Sequence, residues 1–282
     1  MSRPVAAVSL VVAVAVFSGA CSTTPTAPTP VTGSFSIAGV SQEPPSVPSA
    51  IIPNVPPVLG ATRFLAFGDS ITCGVESIVF DALIDLQCPS GTWGYPDRLR
   101  AMLGSYAPSQ TFGMTKRGKP GEWALDGQNR LRSELNELMG PSVPLAQRPQ
   151  GLLLLEGIND MNNGISATTA AASLAQMAQV GRLYNLTVLV ATMPQTYVVV
   201  NPNTMQVRQN SADKIVPFNN EVRRLLAGVQ NVYLVDVYAA FGSNRALIGD
   251  DGLHPTPAGY DVMAQQFHAA VVATFPVRGS LQ

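Results

Sequence analysis

The residues able to carry out nucleophilic chemistry fall into separate blocks along the chain. Ser70 follows the first apolar run, and an acid and a histidine, Asp251 and His254, lie near the other end. A serine hydroxyl becomes an effective nucleophile only when a base removes its proton, and a third group must orient that base. The sequence has only 2 histidines, so the choice of base lies between His254 and His268.

The surroundings of the two histidines favour His254. It lies three residues after Asp251, so one short loop can carry both the base and the acid that orients it. His268 falls within the last helical pattern, on the same side as Asp261, and we interpret it as a surface residue. We therefore predict Ser70 as the nucleophile, His254 as the base and Asp251 as the orienting acid.

A fold that brings distant residues together must position these groups. From about residue 61 to the end at 282, apolar runs of strand length alternate with helix-length segments, which predicts one α/β domain with a parallel sheet covered on both faces. In such sheets ligands bind at the carboxyl ends of strands, where Ser70 and Asn159 both fall. The predicted strands are 64–67, 110–114, 152–155, 187–191 and 232–237, and the predicted helices are 95–103, 126–139, 167–184, 212–226 and a last helix capped by Thr256.

Four blocks, taken in order, resemble the motifs of the SGNH hydrolases, the GDSL family of esterases and lipases. They are Gly68-Asp69-Ser70-Ile71, Gly118-Lys119-Pro120-Gly121-Glu122, Gly157-Ile158-Asn159-Asp160 and Asp251-Gly252-Leu253-His254-Pro255. The glycine block departs from the family pattern, because Lys116 stands where an asparagine is common just upstream. The resemblance covers residues 64–275 and implies a three-layer α/β/α, flavodoxin-like fold with about five parallel strands.

The same resemblance implies an activity. It implies a serine esterase that works through an acyl-Ser70 intermediate, without metal or cofactor. It assigns the oxyanion hole to the Ser70 amide, the Gly121 amide and the Asn159 side chain. Short acyl groups, such as O-acetyl on carbohydrates, are the expected substrates. Lysophospholipid or thioester hydrolysis and acyl transfer are alternatives at the same site, and a non-catalytic tethered binding lipoprotein is the alternative from another class.

Composition and missing motifs exclude other classes of function. Charged residues make up 12% of the chain and its formal net charge is -1, with no basic run that could bind nucleic acid. The sequence lacks the Gly-x-Ser-x-Gly elbow of α/β-hydrolases, a P-loop, a dinucleotide-binding glycine motif and a His-Glu-x-x-His zinc motif.

The N-terminus predicts export. Residues 1–20 combine an early arginine with an apolar run too short to span a bilayer, as in a signal peptide. Ser18-Gly19-Ala20-Cys21 resembles a lipoprotein signal in which Cys21 becomes lipidated and anchors the protein to a membrane, although Ser18 replaces the usual leucine. Ordinary signal-peptide cleavage is the alternative. Residues 21–60 are rich in Pro, Thr and Ser, which predicts an extended tether.

The other two cysteines follow the nucleophile block closely. In an oxidising compartment, Cys73 and Cys88 are candidates for a disulfide that contributes about 3 kcal/mol. Two unpaired thiols are the alternative. A disulfide between them would leave Cys21 as the odd cysteine, which suits a lipid-carrying residue.

The segment 195–214 follows the fourth predicted strand and should overhang the rim that carries the site. Its apolar run at 197–200 predicts either a wall for an acyl group or an additional hairpin. Trp93 and Trp123 are candidates to line an acyl or sugar pocket, with packing in the core as the alternative for each.

Overall fold

The computed structural model describes residues 56–76, 88, 93–200, 205 and 211–276. The predicted signal peptide, the lipidation candidate Cys21 and most of the predicted tether lie outside these residues. The chain divides into two units, Met1–Ile51 and Ile52–Gln282, and every described residue belongs to the second. Among the described helices, none has the length and apolar character needed to span a bilayer.

Five parallel strands form one sheet in the order β2-β1-β3-β4-β5, which confirms the predicted α/β fold. The three central strands are almost completely buried, as expected for apolar runs covered by helices on both faces. The strands are β1 (Arg63–Gly68), β2 (Gly113–Gly118), β3 (Gly151–Leu155), β4 (Thr187–Ala191) and β5 (Val232–Val235).

Eight helices in the described part of the chain connect and cover the strands. Helices α3, α5 and α6 pack together as one group, and α2, α7 and α8 as another, as in a three-layer arrangement. The last helix begins as predicted, because the Thr256 hydroxyl caps the Gly259 amide. The helices are α1 (Ser70–Cys73), α2 (Tyr95–Tyr106), α3 (Ala124–Met139), α4 (Ile158–Asn162), α5 (Ala167–Leu183), α6 (Ile215–Leu226), α7 (Val237–Phe241) and α8 (Pro257–Thr274).

The prediction for the second strand was wrong in its position. The sequence pattern indicated 110–114, whereas β2 runs over Gly113–Gly118. This strand lies at the edge of the sheet and its residues are mostly half-buried and polar, so no apolar run marks it. Lys116 pairs with Asp97 at 2.8 Å, and Arg117 pairs with Glu134 at 2.7 Å. The shift places the glycine block immediately after a strand.

The strand order creates a crevice next to β1. The chain passes from β1 outward to β2 and then returns to β3 on the other side of β1. Such reversals are where open α/β sheets bind their ligands, at the carboxyl ends of the strands. Gly68 is in register with Gly118 of β2 and with Leu155 of β3. Three of the four sequence blocks therefore lie at one row across the sheet.

Candidate active site

The turn after β1 presents Ser70. Asp69 caps the short helix α1, and its Oδ1 accepts a hydrogen bond of 2.9 Å from the Ile71 amide. Through this bond Asp69 braces the turn. Ser70 is the first residue of α1 and is only 3% exposed. Its hydroxyl is therefore held on a rigid element at the carboxyl end of β1.

The loop before α8 presents the base and the acid together. Asp251 Oδ1 accepts hydrogen bonds of 3.0 Å from the amides of both Leu253 and His254. Gly252 between them has a φ of 76°, and a Cβ there would lie 2.3 Å from the Tyr197 carbonyl oxygen. Only glycine fits this turn, because both the backbone conformation and the neighbouring chain exclude a side chain.

The structure brings Ser70, His254 and Asp251 into one hydrogen-bonded chain. Ser70 Oγ lies 2.8 Å from His254 Nε2, although the two residues are 184 positions apart in sequence. His254 Nδ1 lies 2.6 Å from Asp251 Oδ2. With a proton on Nδ1, the ring donates to Asp251 and accepts from the serine hydroxyl. This is the arrangement that nucleophilic serine chemistry requires.

Gly121 and Asn159 are the other two candidates for the oxyanion hole, the first in the turn that follows β2 and the second in α4. Gly121 has a φ of 76°, and a Cβ there would meet nothing within 4 Å. The left-handed backbone therefore selects glycine, and the space beside its Cα is open. Asn159 lies in α4 and donates from Nδ2 to the Glu122 carbonyl oxygen at 2.9 Å. An amide NH2 group has a second hydrogen, which can be directed at a ligand.

The rival histidine takes no part in this arrangement. His268 packs edge-to-face against Tyr106, with ring centroids 5.3 Å apart. The interpretation of His268 as a surface residue was wrong in degree: it is partly buried, and burial lowers its pKa. Asp160 braces the chain before α3, because its Oδ2 accepts a hydrogen bond from the Ala124 amide at 2.7 Å.

Cys73 and Cys88 form the disulfide that the sequence suggested. Cys73 is the last residue of α1, one turn after Ser70. The Sγ of Cys88 lies 3.1 Å from the carbonyl oxygen of Gly118, where β2 ends. The disulfide therefore joins α1, which carries Ser70, to Cys88, which lies beside Gly118 at the start of the glycine block.

Two carboxyl groups near the site are completely buried, and one of them, Glu156, escaped the sequence analysis. Both oxygens of Glu156 and the Oδ2 of Asp69 have no hydrogen-bond partner within the described chain. Burial raises the pKa of Glu156 well above its ordinary value, and the charges of Asp69 and Glu122 add to the increase. Burial also raises the pKa of Asp69 to about 7, against the opposing effect of the Ile71 amide.

The sequence analysis also missed the buried pairing of Arg130 with Glu122. Glu156 did carry a visible signal, because an acid directly after four buried leucines of β3 is unusual. Arg130 carried none. It lies beside Leu131 on the inner side of α3, and only the packing shows that its guanidinium is directed at Glu122.

Part of the predicted rim segment 195–214 is described. The Tyr197 amide donates to the Gly252 carbonyl oxygen at 2.8 Å, so this segment packs directly on the loop that carries Asp251 and His254. Val198 and Val200 are exposed, as is Trp93, whereas Trp123 is partly buried before α3. Among the described residues, no group of three or more His, Cys, Asp or Glu side chains is arranged to hold a metal ion.

Comparison with known proteins relates the chain to one family. Residues 66–262 match the model of the GDSL-like lipase/acylhydrolase family. No curated protein matches it. The fold is similar to that of an aryl esterase from M. smegmatis, with 17% identity, a TM-score of 0.60 and coverage of 76% of this chain and 99% of that one.

Two further solved structures have a similar fold. One is a GDSL-like lipase from Bacteroides thetaiotaomicron, with 18% identity, a TM-score of 0.53 and coverage of 78% of this chain and 92% of that one. The other is a mutant acetyl-xylooligosaccharide esterase from Geobacillus, with 19% identity, a TM-score of 0.52 and coverage of 76% and 95%. At these identities the likeness concerns the fold.

Proposed function

The chain belongs to the GDSL-like lipase/acylhydrolase family, and from that premise we propose that Ser70, His254 and Asp251 hydrolyse short-chain carboxylic esters. The natural substrates are short acyl groups such as O-acetyl on carbohydrates. The observation that carries the proposal is the hydrogen-bonded chain of these three residues, with contacts of 2.8 Å and 2.6 Å.

The first half of the reaction transfers the acyl group to the enzyme. Ser70 Oγ attacks the ester carbonyl carbon while His254 Nε2 takes the hydroxyl proton. Asp251 holds the ring in the required tautomer and stabilises the imidazolium that forms. When the tetrahedral intermediate collapses, the ester C–O bond breaks, and His254 passes the proton to the leaving alcohol. An acyl-Ser70 ester remains.

The second half releases the acid. A water molecule gives a proton to His254 Nε2 and attacks the acyl carbonyl carbon, and collapse of the second intermediate returns the proton to Ser70 Oγ. In both halves, negative charge develops on the former carbonyl oxygen. The amides of Ser70 and Gly121 and the second Nδ2 hydrogen of Asn159 are the donors that stabilise it.

Two observations support short acyl groups. Ser70 and His254 are only 3% and 2% exposed, so little of either side chain is accessible to a bulky substrate. A protein of similar fold carries the name of an acetyl-xylooligosaccharide esterase. Exposed Trp93 offers an apolar face of the kind on which sugar rings pack.

A chain-length series tests the proposal. We expect p-nitrophenyl esters to be hydrolysed fastest as acetate, with a steady decline towards palmitate, and acetylated xylo-oligosaccharides to lose acetate. Ser70→Ala should reduce turnover by about 10⁴-fold or more. Ser105→Ala is the matched control, because Ser105 is exposed on α2.

Each rival function makes a different prediction for that series. A preference for palmitate would point to lysophospholipid hydrolysis, and faster cleavage of acyl thioesters would point to a thioesterase. Transfer of acetate to an added sugar in preference to water would point to an acyltransferase. Equal rates for the wild type and Ser70→Ala would leave only a non-catalytic binding role.

We also propose that the protein is exported and anchored through a lipid on Cys21. The N-terminal sequence supports this, and the Cys73–Cys88 disulfide is typical of proteins from oxidising compartments. In cells fed a tagged palmitate analogue, the wild type should become labelled and Cys21→Ala should not. Unlabelled wild type released into the medium would instead indicate ordinary signal-peptide cleavage.

A further inference from the structure

A partly buried arginine lies beneath the glycine loop, with its side chain 19% exposed. Arg130 of α3 forms a bidentate ion pair with Glu122, in which Nε lies 2.8 Å from both carboxylate oxygens and Nη2 also contacts Oε2. The Glu122 side chain is 1% exposed. The guanidinium carbon lies 3.9 Å from the centre of the Phe67 ring. Pairing with a fork of two N–H groups while stacking on an aromatic face is specific to arginine.

The same guanidinium binds the ends of two strands. Nη2 donates to the carbonyl oxygen of Gly68 at 3.1 Å, and Nη1 donates to the carbonyl oxygen of Arg117 at 3.2 Å. Gly68 ends β1 two residues before Ser70, and Arg117 lies in β2 just before the glycine block. One planar group therefore spans both chain segments that lead into the site.

Glu122 is connected to the other oxyanion donors. It directly follows Gly121, and its amide closes the glycine turn by donating to the Lys119 carbonyl oxygen at 3.2 Å. Its own carbonyl oxygen accepts the 2.9 Å hydrogen bond from Asn159 Nδ2. The Glu122 side chain is held by Arg130, while its backbone is bound to Asn159.

We infer that Arg130, through its pair with Glu122, is the positioning residue of the oxyanion hole. This inference rests on the proposed function, because it assigns Arg130 a part in the same acyl transfer. Arg130 does not touch the substrate. It maintains the relative positions of the Ser70 amide, the Gly121 amide and the Asn159 side chain, which must converge on one oxygen atom.

No other described group can take its place. Lys119 approaches Glu122 Oε1 at 3.5 Å, but its side chain is 46% exposed and it contacts only that oxygen. A lysine at position 130 would retain the positive charge. It could not reach both carboxylate oxygens and two strand carbonyls, because an ammonium group is a single point of contact. Arg130→Lys therefore separates the effect of geometry from that of charge.

The test uses two reactions of Ser70. The first is hydrolysis of p-nitrophenyl acetate, resolved into kcat and KM. The second is labelling by a fluorophosphonate, in which Ser70 Oγ bonds to phosphorus, fluoride leaves, His254 takes the proton and charge collects on the phosphoryl oxygen. The rate of labelling depends on the oxyanion donors. It does not depend on which ester is the natural substrate. The variants are Arg130→Lys and Glu122→Gln, with Arg132→Lys as the control because Arg132 is exposed on α3.

We expect kcat and the labelling rate of Arg130→Lys to fall together by on the order of 10- to 100-fold, less than the loss from deleting a donor outright. KM should stay within about threefold, because the donors act mainly on the transition state. Glu122→Gln should show a smaller loss of the same kind, and Arg132→Lys should show none. If Arg130→Lys does not fold, as judged by thermal unfolding, Glu122→Gln carries the comparison.

A double variant distinguishes positioning from general damage. If Arg130 acts through Asn159, the combined loss of Arg130→Lys and Asn159→Ala should be smaller than the product of the separate losses. Losses that simply multiply would overturn the inference. Labelling of Arg130→Lys and of Glu122→Gln at the wild-type rate would also overturn it. A wild type that is labelled at Ser70 but hydrolyses no ester would contradict the proposed function, and the labelling rates would still decide the role of Arg130.

Discussion

Two buried carboxyl groups at the same end of the sheet have opposite environments. Asp251 accepts from two backbone amides and lies 2.6 Å from the Nδ1 of His254. Glu156, at the end of β3, has no hydrogen-bond partner for either oxygen within the described chain. Donors directed at a carboxylate stabilise its charge, whereas burial without donors favours the protonated form.

The contrast shows that acids at one rim of the sheet can have environments that favour opposite protonation states. The charge of Asp251 is useful because it orients and stabilises His254. Glu156 lies beside Asp69 and Glu122, and Arg130 is already committed to Glu122. An unpaired anion at this position would be costly, so burial and these neighbouring charges favour the protonated form of Glu156.

The largest effect should come from removing the carboxylate that orients His254. Asp251→Asn is expected to lower kcat by about 10⁴-fold, because the amide cannot hold the productive tautomer of His254. The measurement is hydrolysis of p-nitrophenyl acetate. Asp250→Asn is the matched control, since Asp250 is exposed beside Asp251. If the two variants lose activity equally, the assignment of Asp251 is wrong.

Removing an oxyanion donor should have the next largest effect. Asn159→Ala is expected to lower kcat by about 100- to 1,000-fold, with little change in KM, because the donor acts on charge that forms in the transition state. Asn136→Ala serves as the control, as Asn136 is exposed on α3 and bonds Tyr184. A rise in KM at unchanged kcat would mean that Asn159 binds the substrate instead.

The disulfide should affect stability. Replacing both Cys73 and Cys88 by Ala is expected to lower the free energy of unfolding by about 3 kcal/mol, because the bond closes a loop with a sequence separation of 15. Urea unfolding measures the change. Reductant should reproduce it in the wild type and leave the double variant unaffected. If the oxidised wild type and the double variant unfold at the same urea midpoint, the disulfide does not stabilise the fold.

The smallest and most diagnostic effect concerns Glu156. Its pKa is raised above the ordinary 4.5 in the folded protein, so between these values the unfolded chain releases a proton that the folded chain keeps. The contribution of Glu156 to the free energy of unfolding therefore decreases as the pH rises above about 4.5, by at most about 1.4 kcal/mol per pH unit. Glu156→Gln cannot ionise and should lack this part of the slope.

Urea unfolding of both proteins from about pH 4 to pH 8 measures the Glu156 contribution. Burying a glutamine changes the free energy of unfolding by the same amount at every pH. The result is therefore the difference between the two proteins in the slope of that free energy against pH. Glu137→Gln, on the exposed side of α3, should follow the wild type. Parallel curves for the wild type and Glu156→Gln would mean that Glu156 is paired in solution.

The parts of the site that could be predicted are those encoded by short turns. The loop at 251–255 needs an acid, a glycine and a base at fixed spacing, and this pattern is visible in sequence. The turn at Asp69 and Ser70 is similarly local. The pairing of Arg130 with Glu122 was missed because eight positions separate the two residues and the contact does not depend on local pattern. The edge strand β2 was misplaced because it lacks an apolar run.

By itself, the sequence determined the long helices and four of the five strands, because propensities, caps and apolar runs act over a few residues. It also placed a nucleophile, a base and an acid at the ends of those elements. Tertiary structure alone decided that Ser70 and His254 meet at 2.8 Å and that Arg130 lies beneath the glycine loop. These contacts depend on strand order and close packing, which join residues far apart in the chain.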